Sequence, residues 1–287
     1  MPEYVFAQCL GEALCLLEQW EGQGRIVAGG TNLMSEIAEG KRNPRYLLDI
    51  SRMKLLRHIY VEDNVITIGA AVTHSQVASS PVILSKASAL AKAARLVGSP
   101  QVRNVGTVVG NIVNAQPASD TAVALVALSA IANIATRGGC IQIPVEKMYA
   151  GNGQSTVDST CQLVTDVRFA GCLPGQGTGF ARLSQRKALA LPVLNVATMV
   201  SLEGNLIEWA RIVMAPVGPG PVRATNAEQF LVGKTPAIGV IGEAAQIAVE
   251  DANQKNSAVH RSRRVSVLPA LVEQALTTAL AAAQQNL

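Results

Sequence analysis

The stretch from residue 98 to residue 128 constrains the fold more than any other part of the chain. It begins GSPQVRNVGTVVGNIVNAQPASD and continues into an apolar run of Ala, Val and Leu. Gly106 and Gly110 allow a close backbone approach that a side chain would prevent. Ser119 or Asp120 can cap the apolar helix, because either side chain accepts from the first free N–H groups. Such a segment is typical of a phosphate-binding loop, and also of a plain connection before a buried helix.

A second loop with the same design lies near the N-terminus. Residues 25–33, RIVAGGTNL, read as a short apolar strand that ends in a Gly-Gly turn and leads into a helical pattern. This element also offers free backbone N–H donors, and Thr31 adds a hydroxyl. One such loop is weak evidence for a phosphate site, whereas two loops indicate a diphosphate held from both sides.

The motifs AGGTNL and TVVGNIVNAQPASD resemble the paired FAD-pyrophosphate loops of the molybdenum hydroxylase flavoproteins. These are the FAD-binding medium subunits of the xanthine dehydrogenase and carbon monoxide dehydrogenase family. Further similar segments extend the resemblance over nearly the whole chain: residues 46–51, 68–74, 98–104 and 215–224. In one departure, Val109-Gly110 stands where the family usually has Gly-Gly. Since valine disfavours positive φ, we expect Val109 to narrow the approach to the phosphate.

The composition favours a globular protein that acts through a cofactor. The chain has 287 residues and a net charge of +4, and 49% of it is hydrophobic while only 15% is charged. No apolar run approaches the roughly 18 residues of a membrane span, and no N-terminal signal pattern is present, so we expect a cytoplasmic protein. Basic residues are scattered, the densest group being Arg261, Arg263 and Arg264, and aromatics are only 3% of the chain. Nucleic-acid binding is therefore not expected.

The cysteines and histidines offer no chemistry of their own. The five cysteines have no CxxC pair and no spacing suited to zinc or an iron–sulfur cluster, and the three histidines are scattered. We expect no metal site and no catalytic residue in this chain, so redox chemistry must come from a bound cofactor. Neither loop contains the His, Cys or Tyr that covalent flavin attachment usually needs. We therefore expect FAD to be bound non-covalently.

The order of apolar and turn segments predicts an α+β chain in three parts. Residues 1–51 form a small α/β unit with the first loop, and residues 52–170 form a second, larger α/β unit with the second loop. By resemblance, the two units make a PCMH-type FAD-binding domain. The Gly-rich run AGCLPGQGTG, 170–179, predicts a linker to a C-terminal antiparallel sheet covered by helices, 171–287. The predicted elements are helices at 9–20, 83–97, 121–128, 227–232, 236–253 and 267–284, and strands at 26–28, 46–50, 58–61, 65–69, 131–136, 140–143, 162–169, 180–184, 192–202 and 206–215.

The resemblance also implies which residues contact FAD. Backbone N–H groups of the first loop hold the pyrophosphate, Asn114 lies close to the isoalloxazine ring, and Asp120 contacts the sugar–ribitol region or merely caps its helix. Residues 180–187 resemble the family's F-x-K-x-x-x-R stretch, and this places Arg182 at the flavin edge, where a cation would stabilise the reduced flavin. The complete set of predicted cofactor-binding residues is Ala28, Gly29, Gly30, Thr31, Asn32, Leu33, Thr107, Gly110, Asn111, Asn114, Ser119, Asp120, Leu163 and Arg182.

The function implied by the resemblance is electron transfer within a larger enzyme. A large subunit oxidises the substrate at a molybdenum–pterin centre, and a small subunit with two [2Fe–2S] clusters passes the electrons to FAD on this chain. The flavin then delivers them to NAD⁺, a quinone or oxygen, in a complex resembling a dimer of heterotrimers. Two alternatives stay open. One is a stand-alone flavin reductase of the same broad fold, like the enolpyruvyl-glucosamine reductases, and the other is a scaffold subunit without FAD, which Val109 keeps possible.

Overall fold

A three-stranded parallel sheet begins the computed structural model, which describes residues 2–186, 189–255 and 266–287. The strands lie in the order β1-β3-β2, and Leu48 in the central strand is fully buried. Trp20 stacks on Tyr46 with ring centroids 4.7 Å apart and closes one end of this small core. The first loop therefore leaves a strand and enters a helix, as predicted. The elements are β1 (Glu3–Phe6), α1 (Leu10–Gln19), β2 (Gly24–Val27), α2 (Leu33–Ala38) and β3 (Tyr46–Asp49).

The second unit is built on a five-stranded antiparallel sheet with helices packed against it. Its strand order is β4-β5-β10-β6-β7, and β8 and β9 form a small separate hairpin. Every residue of α8 is buried, including the polar Asp120 and Thr121, and this full burial suits the apolar run 122–127. The elements are β4 (Ile59–Glu62), β5 (Val65–Gly69), α3 (His74–Ser79), α4 (Pro81–Lys86), α5 (Ser88–Leu96), α6 (Pro100–Val105), α7 (Val108–Val113), α8 (Asp120–Ala127), β6 (Ile131–Thr136), β7 (Gly139–Pro144), β8 (Tyr149–Gly151), β9 (Gln154–Ser155) and β10 (Leu163–Ala170).

The C-terminal part is an antiparallel sheet of order β11-β12-β13-β14 with apolar side chains on both faces. One face, with Phe180 and Met199, joins the core of the second unit. The other face, with Val200 and Ile212, packs under the C-terminal helices. Both faces are therefore buried. The elements are β11 (Gln176–Ser184), β12 (Pro192–Glu203), β13 (Leu206–Ala215), β14 (Val222–Arg223), α9 (Thr225–Leu231), α10 (Ile238–Lys255) and α11 (Leu268–Gln285).

This architecture confirms the predicted α+β class, with helices covering the C-terminal sheet. None of the helices within the described ranges combines the length and apolarity needed to cross a bilayer. The unit boundaries at residues 51 and 170 stay predictions. Lys187, His260 and the basic group Arg261, Arg263 and Arg264 lie outside the described residues.

Several predicted elements need correction. The Gly-rich run 170–179 is not a linker throughout, because β10 extends to Ala170 and β11 already begins at Gln176. The helix predicted over 83–97 is two helices, α4 and α5, since the backbone at Ala87 leaves the helical region with φ −155°. The segment interpreted as the second loop contains α7, and β1, α3 and α6 were not predicted. These short elements carry too few periodic residues to stand out in the sequence.

Candidate functional site

The first loop owes its two glycines to two different constraints. Gly30 has φ +66°, a backbone conformation that residues with a side chain rarely adopt. Gly29 lies where the chain meets the second loop. A Cβ atom added to Gly29 would lie 2.7 Å from the Cα atom of Gly106 and 2.9 Å from the carbonyl carbon of Val105. The two loops are thus in backbone contact, and only glycine permits it.

The second loop is held in place by the segment that follows β5. The backbone N–H of His74 donates to the carbonyl oxygen of Gly106 over 3.0 Å, and the N–H of Val108 donates to that of Val72 over 3.2 Å. Thr107 caps α7, because its hydroxyl oxygen accepts from the N–H of Gly110 over 3.0 Å. Two backbone hydrogen bonds and a helix cap therefore hold the second loop in its observed conformation.

A cleft of about 1190 Å³, including the solvent at its mouth, runs along both loops, and we call it the loop cleft. Apolar side chains such as Val97, Val102 and Val164 contribute to its walls. Arg25, Glu36 and Arg42 also line it. The structure brings together here most of the residues predicted from sequence, namely Ala28, Gly29, Gly30, Thr31, Asn32, Leu33, Thr107, Gly110, Asn111, Asn114 and Leu163.

Free backbone donors are concentrated in this cleft. Within the described part of the chain, the N–H groups of residues 29–32 donate to no protein acceptor. The same holds, among the described residues, for the N–H groups of Thr107 and Val109 in the second loop. All of these residues line the cleft. Unpaired backbone donors on two adjoining loops suit an anion with several oxygens.

Two asparagines add polar side chains to the cleft. The Asn111 side-chain oxygen accepts from the hydroxyls of Ser119 and Thr121, the latter over 2.7 Å, so its amide nitrogen is the group left for a ligand. The Asn114 amide nitrogen is buried and has no hydrogen-bond partner among the described residues. An unpaired buried donor is costly, so an oxygen-rich ligand beside Asn114 would stabilise the site. The cleft therefore fits the diphosphate and sugar oxygens of a dinucleotide.

Three predicted residues do not line the cleft. Asp120 is only 4% exposed; Asn195 donates to its carboxylate over 2.8 Å, and the Arg182 guanidinium lies 3.5 Å away. Burial raises the pKa of Asp120 to about 6, against the lowering effects of Arg182 and Asn195. Arg182 also donates to the carbonyl oxygens of Leu96, over 2.8 Å, and Ala190. Ser119 caps α8. Asp120 and Arg182 thus join α8 to the C-terminal sheet, and their predicted contacts with the cofactor stay predictions.

Contrary to the expectation from sequence, Val109 does not strain the backbone of the second loop. It is the second residue of α7, it is not among the residues with positive φ, and it is 3% exposed within the core. Because a helical backbone accepts valine, the expected conflict with a left-handed conformation does not arise. The departure from Gly-Gly is compatible with the free donors beside it.

His74 lines the cleft, although the sequence assigns no role to any of the three histidines. Its neighbour Thr73 caps α3 in a capping box with Gln76, and this T-x-x-Q pattern is the one local signal that fixes its position. Its contact with the second loop depends on the path of the chain after β5, which no local pattern reveals. Among the described residues, no three His, Cys, Asp or Glu side chains form a metal-binding group.

Comparisons with known proteins agree with this geometry. Residues 1–169 match the family described as the FAD binding domain in molybdopterin dehydrogenase, and residues 180–283 match that of the CO dehydrogenase flavoprotein C-terminal domain. The nicotinate dehydrogenase FAD-subunit of Eubacterium barkeri is 33% identical over 80% of this chain and 79% of its own length. The glyceraldehyde dehydrogenase medium chain of Sulfolobus acidocaldarius is also 33% identical, over 80% and 81% respectively. A chain of carbon monoxide dehydrogenase from Hydrogenophaga pseudoflava has a TM-score of 0.89 at 26% identity, with 98% of both chains covered.

Proposed function

Because the chain belongs to the FAD-binding subunits of the molybdenum hydroxylases, we propose that it holds FAD in the loop cleft and passes electrons through it within a larger dehydrogenase. The family matches confirm the resemblance found in the sequence. They also make the chain an oxidoreductase subunit with an FAD-binding domain. The proposal extends to the electron donor, the electron acceptor and the partner subunits.

The observation that carries the proposal is the set of free N–H donors on two touching loops. The donors of residues 29–32 and those of Thr107 and Val109 line one cleft, so they can bind the oxygens of one diphosphate. The Thr31 hydroxyl and the Asn114 amide nitrogen add further donors. Since these groups are already fixed by backbone contacts, little ordering free energy is lost when the cofactor binds.

The remaining cleft residues exclude water and orient the cofactor. Apolar side chains of Val97, Val102 and Leu163 line the cleft and suit the flat rings of a dinucleotide. Bound FAD supplies the redox chemistry, because it can take up and release electrons. This chain contributes binding and orientation, and we assign it no residue that moves a proton during the reaction.

We infer that the electrons come from a partner chain. The nicotinate dehydrogenase and glyceraldehyde dehydrogenase relatives are called FAD-subunit and medium chain, which are names of components of larger enzymes. By analogy we propose a molybdenum–pterin large subunit and a small subunit with two [2Fe–2S] clusters, assembled as a dimer of heterotrimers. NAD⁺, a quinone or oxygen is the acceptor. We place this assembly in the cytoplasm, where the five cysteines would remain reduced.

The alternatives have less support. A stand-alone flavin reductase leaves the match of residues 180–283 to a flavoprotein C-terminal domain unexplained. The alternative of a scaffold without FAD depends on Val109 hindering the approach of the phosphate. That residue lies in a helix and lines the cleft, and its N–H has no acceptor within the described ranges, so it is compatible with FAD binding.

The test of FAD binding is the absorption spectrum of the purified chain. We expect flavin bands near unit occupancy, and we expect acid precipitation to release the yellow chromophore into the supernatant because binding is non-covalent. Colour that stays in the pellet would contradict only the non-covalent attachment. A protein that stays colourless after incubation with FAD would rule out the flavoprotein function.

A further inference from the structure

A buried imidazole lies where the two loops meet. His74 is 2% exposed and lines the loop cleft. A Cβ atom added to Gly106 would lie 3.5 Å from the Cδ2 atom of His74 and 3.4 Å from the Oγ1 atom of Thr31. The Cδ2 edge of the ring is therefore close to both loops. The backbone N–H of His74 donates a hydrogen bond to the carbonyl oxygen of Gly106 in the second loop. The capping box of α3 is formed by Thr73 and Gln76 and does not involve the ring of His74.

The surroundings of the ring determine which nitrogen carries the proton. Nδ1 is buried and has no hydrogen-bond partner among the described residues. A buried N–H without an acceptor is rarer and costlier than a buried lone pair without a donor. We therefore assign the proton of the neutral ring to Nε2, the nitrogen bonded to Cδ2 on the edge near the loops.

The same surroundings keep the ring neutral. Burial, and then the positive charge of Arg103, lower the pKa of His74 to about 4. The Arg103 guanidinium is held by the carbonyl oxygens of Val97, at 3.0 Å, and Gly98, at 3.1 Å, so its charge stays in place. Thr31 and Gly106, which adjoin the ring from the two loops, carry no charge. At neutral pH the side chain is therefore a hydrogen-bond donor without a charge.

We propose that His74 is a cofactor-binding residue whose Nε2–H donates to an oxygen of the FAD held between the two loops. The inference rests on the proposed function and adds a side-chain donor at the junction of the two loops. It accounts for a polar ring in a position where an aliphatic side chain would fill the space. It also accounts for Nδ1 having no partner, because a hydrogen bond from Nε2 to FAD would fix the orientation of the ring.

Two substitutions distinguish the hydrogen-bond donor of His74 from the volume of its side chain. In His74→Gln the side-chain amide nitrogen can take the place of Nε2, whereas His74→Leu keeps a similar volume without any donor. Hydrogen bonds to charged groups are strong, so we expect His74→Leu to raise the Kd for FAD about tenfold or more and His74→Gln to raise it less than about threefold. Flavin fluorescence titration of the full apo chain measures both values, and equal unfolding midpoints of the apo proteins serve as the control.

A second measurement uses the wild-type chain and does not depend on how the variants fold. Nitrogen-15 NMR of labelled histidine at pH 7 should show His74 as the neutral Nε2–H tautomer, with the resonance assigned by its loss in His74→Gln. Addition of FAD should shift the Nε2 signal of His74 and leave that of His58, which is exposed and does not line the cleft, in place. An Nδ1–H tautomer, a charged ring, or a signal unmoved by FAD would overturn the inference.

The outcomes also distinguish this inference from the proposed function. If the wild-type chain binds FAD and folded His74→Leu binds it equally well, only the role of His74 is wrong. If the wild-type chain binds no FAD at all, the proposed function fails, and the role of His74 fails with it.

Discussion

Gly29 lies at the backbone contact between the two loops, so a single methyl group there tests the architecture of the cleft. We expect Gly29→Ala to lower the free energy of unfolding by about 1–3 kcal/mol, because its Cβ would meet the backbone of Val105 and Gly106. Displaced donors would also weaken FAD binding, by about tenfold for each lost bond to the diphosphate. Chemical denaturation and FAD titration measure the two effects.

Gly11→Ala is the matched control for this substitution. Gly11 lies in α1, and an added Cβ there would meet no atom within 4 Å. Since alanine favours helix more than glycine does, we expect unchanged FAD affinity and a gain in stability of up to about 1 kcal/mol. Full FAD occupancy in a folded Gly29→Ala variant would mean that the diphosphate does not bind between the loops.

At the scale of elements, the contact of β11 with α11 depends on Gly177 and Gly179. A Cβ atom on Gly179 would lie 2.9 Å from the carbonyl carbon of Ala275 and 3.0 Å from the backbone nitrogen of Ala279. We expect Gly179→Ala to push α11 away from the sheet and to reduce the free energy of unfolding by about 3 kcal/mol. FAD affinity should change little, because Gly179 does not line the loop cleft. Denaturation and FAD titration again separate the two quantities.

Gly239→Ala provides the comparison within the same C-terminal part. Gly239 lies in α10, and an added Cβ there would meet no atom within 4 Å. This variant should be as stable as the wild type or slightly more stable. A Gly179→Ala variant that is equally stable would show that α11 does not pack on β11 as closely as the structure has it.

The same glycines show where sequence reasoning reaches its limit. The two loops could be predicted, because in each a glycine-containing turn is followed within a few residues by a helix, and the first loop also follows a strand. Gly177 and Gly179 were interpreted as part of a linker, since composition does not distinguish a flexible segment from a strand crossed closely by a helix. The position of His74 and the pairing of Asp120 with Arg182 depend on contacts between distant segments, and no local pattern encodes them.

At the scale of the whole molecule, buried and partly buried polar contacts join the C-terminal sheet to the second unit. Lys92 on α5 donates to the carbonyl oxygen of Phe180 over 2.8 Å, and the N–H of Ala89 donates to the Thr178 hydroxyl over 3.1 Å. The Asp120–Arg182 pair adds a charged contact from α8. Because these contacts come with a shared apolar core, the C-terminal part is fixed to the domain that carries the cleft.

The activity of the complete enzyme should depend on its partner subunits. Since the chain is proposed to receive its electrons from a partner's clusters, we expect the isolated, FAD-loaded chain to oxidise NADH weakly at most and to have no hydroxylase activity. Activity should appear when the chain is co-expressed with a molybdenum–pterin subunit and a two-cluster iron–sulfur subunit.

Affinity purification through this chain, followed by molybdenum, iron and flavin analysis, tests the assembly. In a complex of the proposed composition, each FAD should be accompanied by one molybdenum and four iron atoms. Oxidation of an organic substrate by the pure chain without either metal would contradict the subunit role and favour a stand-alone flavoenzyme.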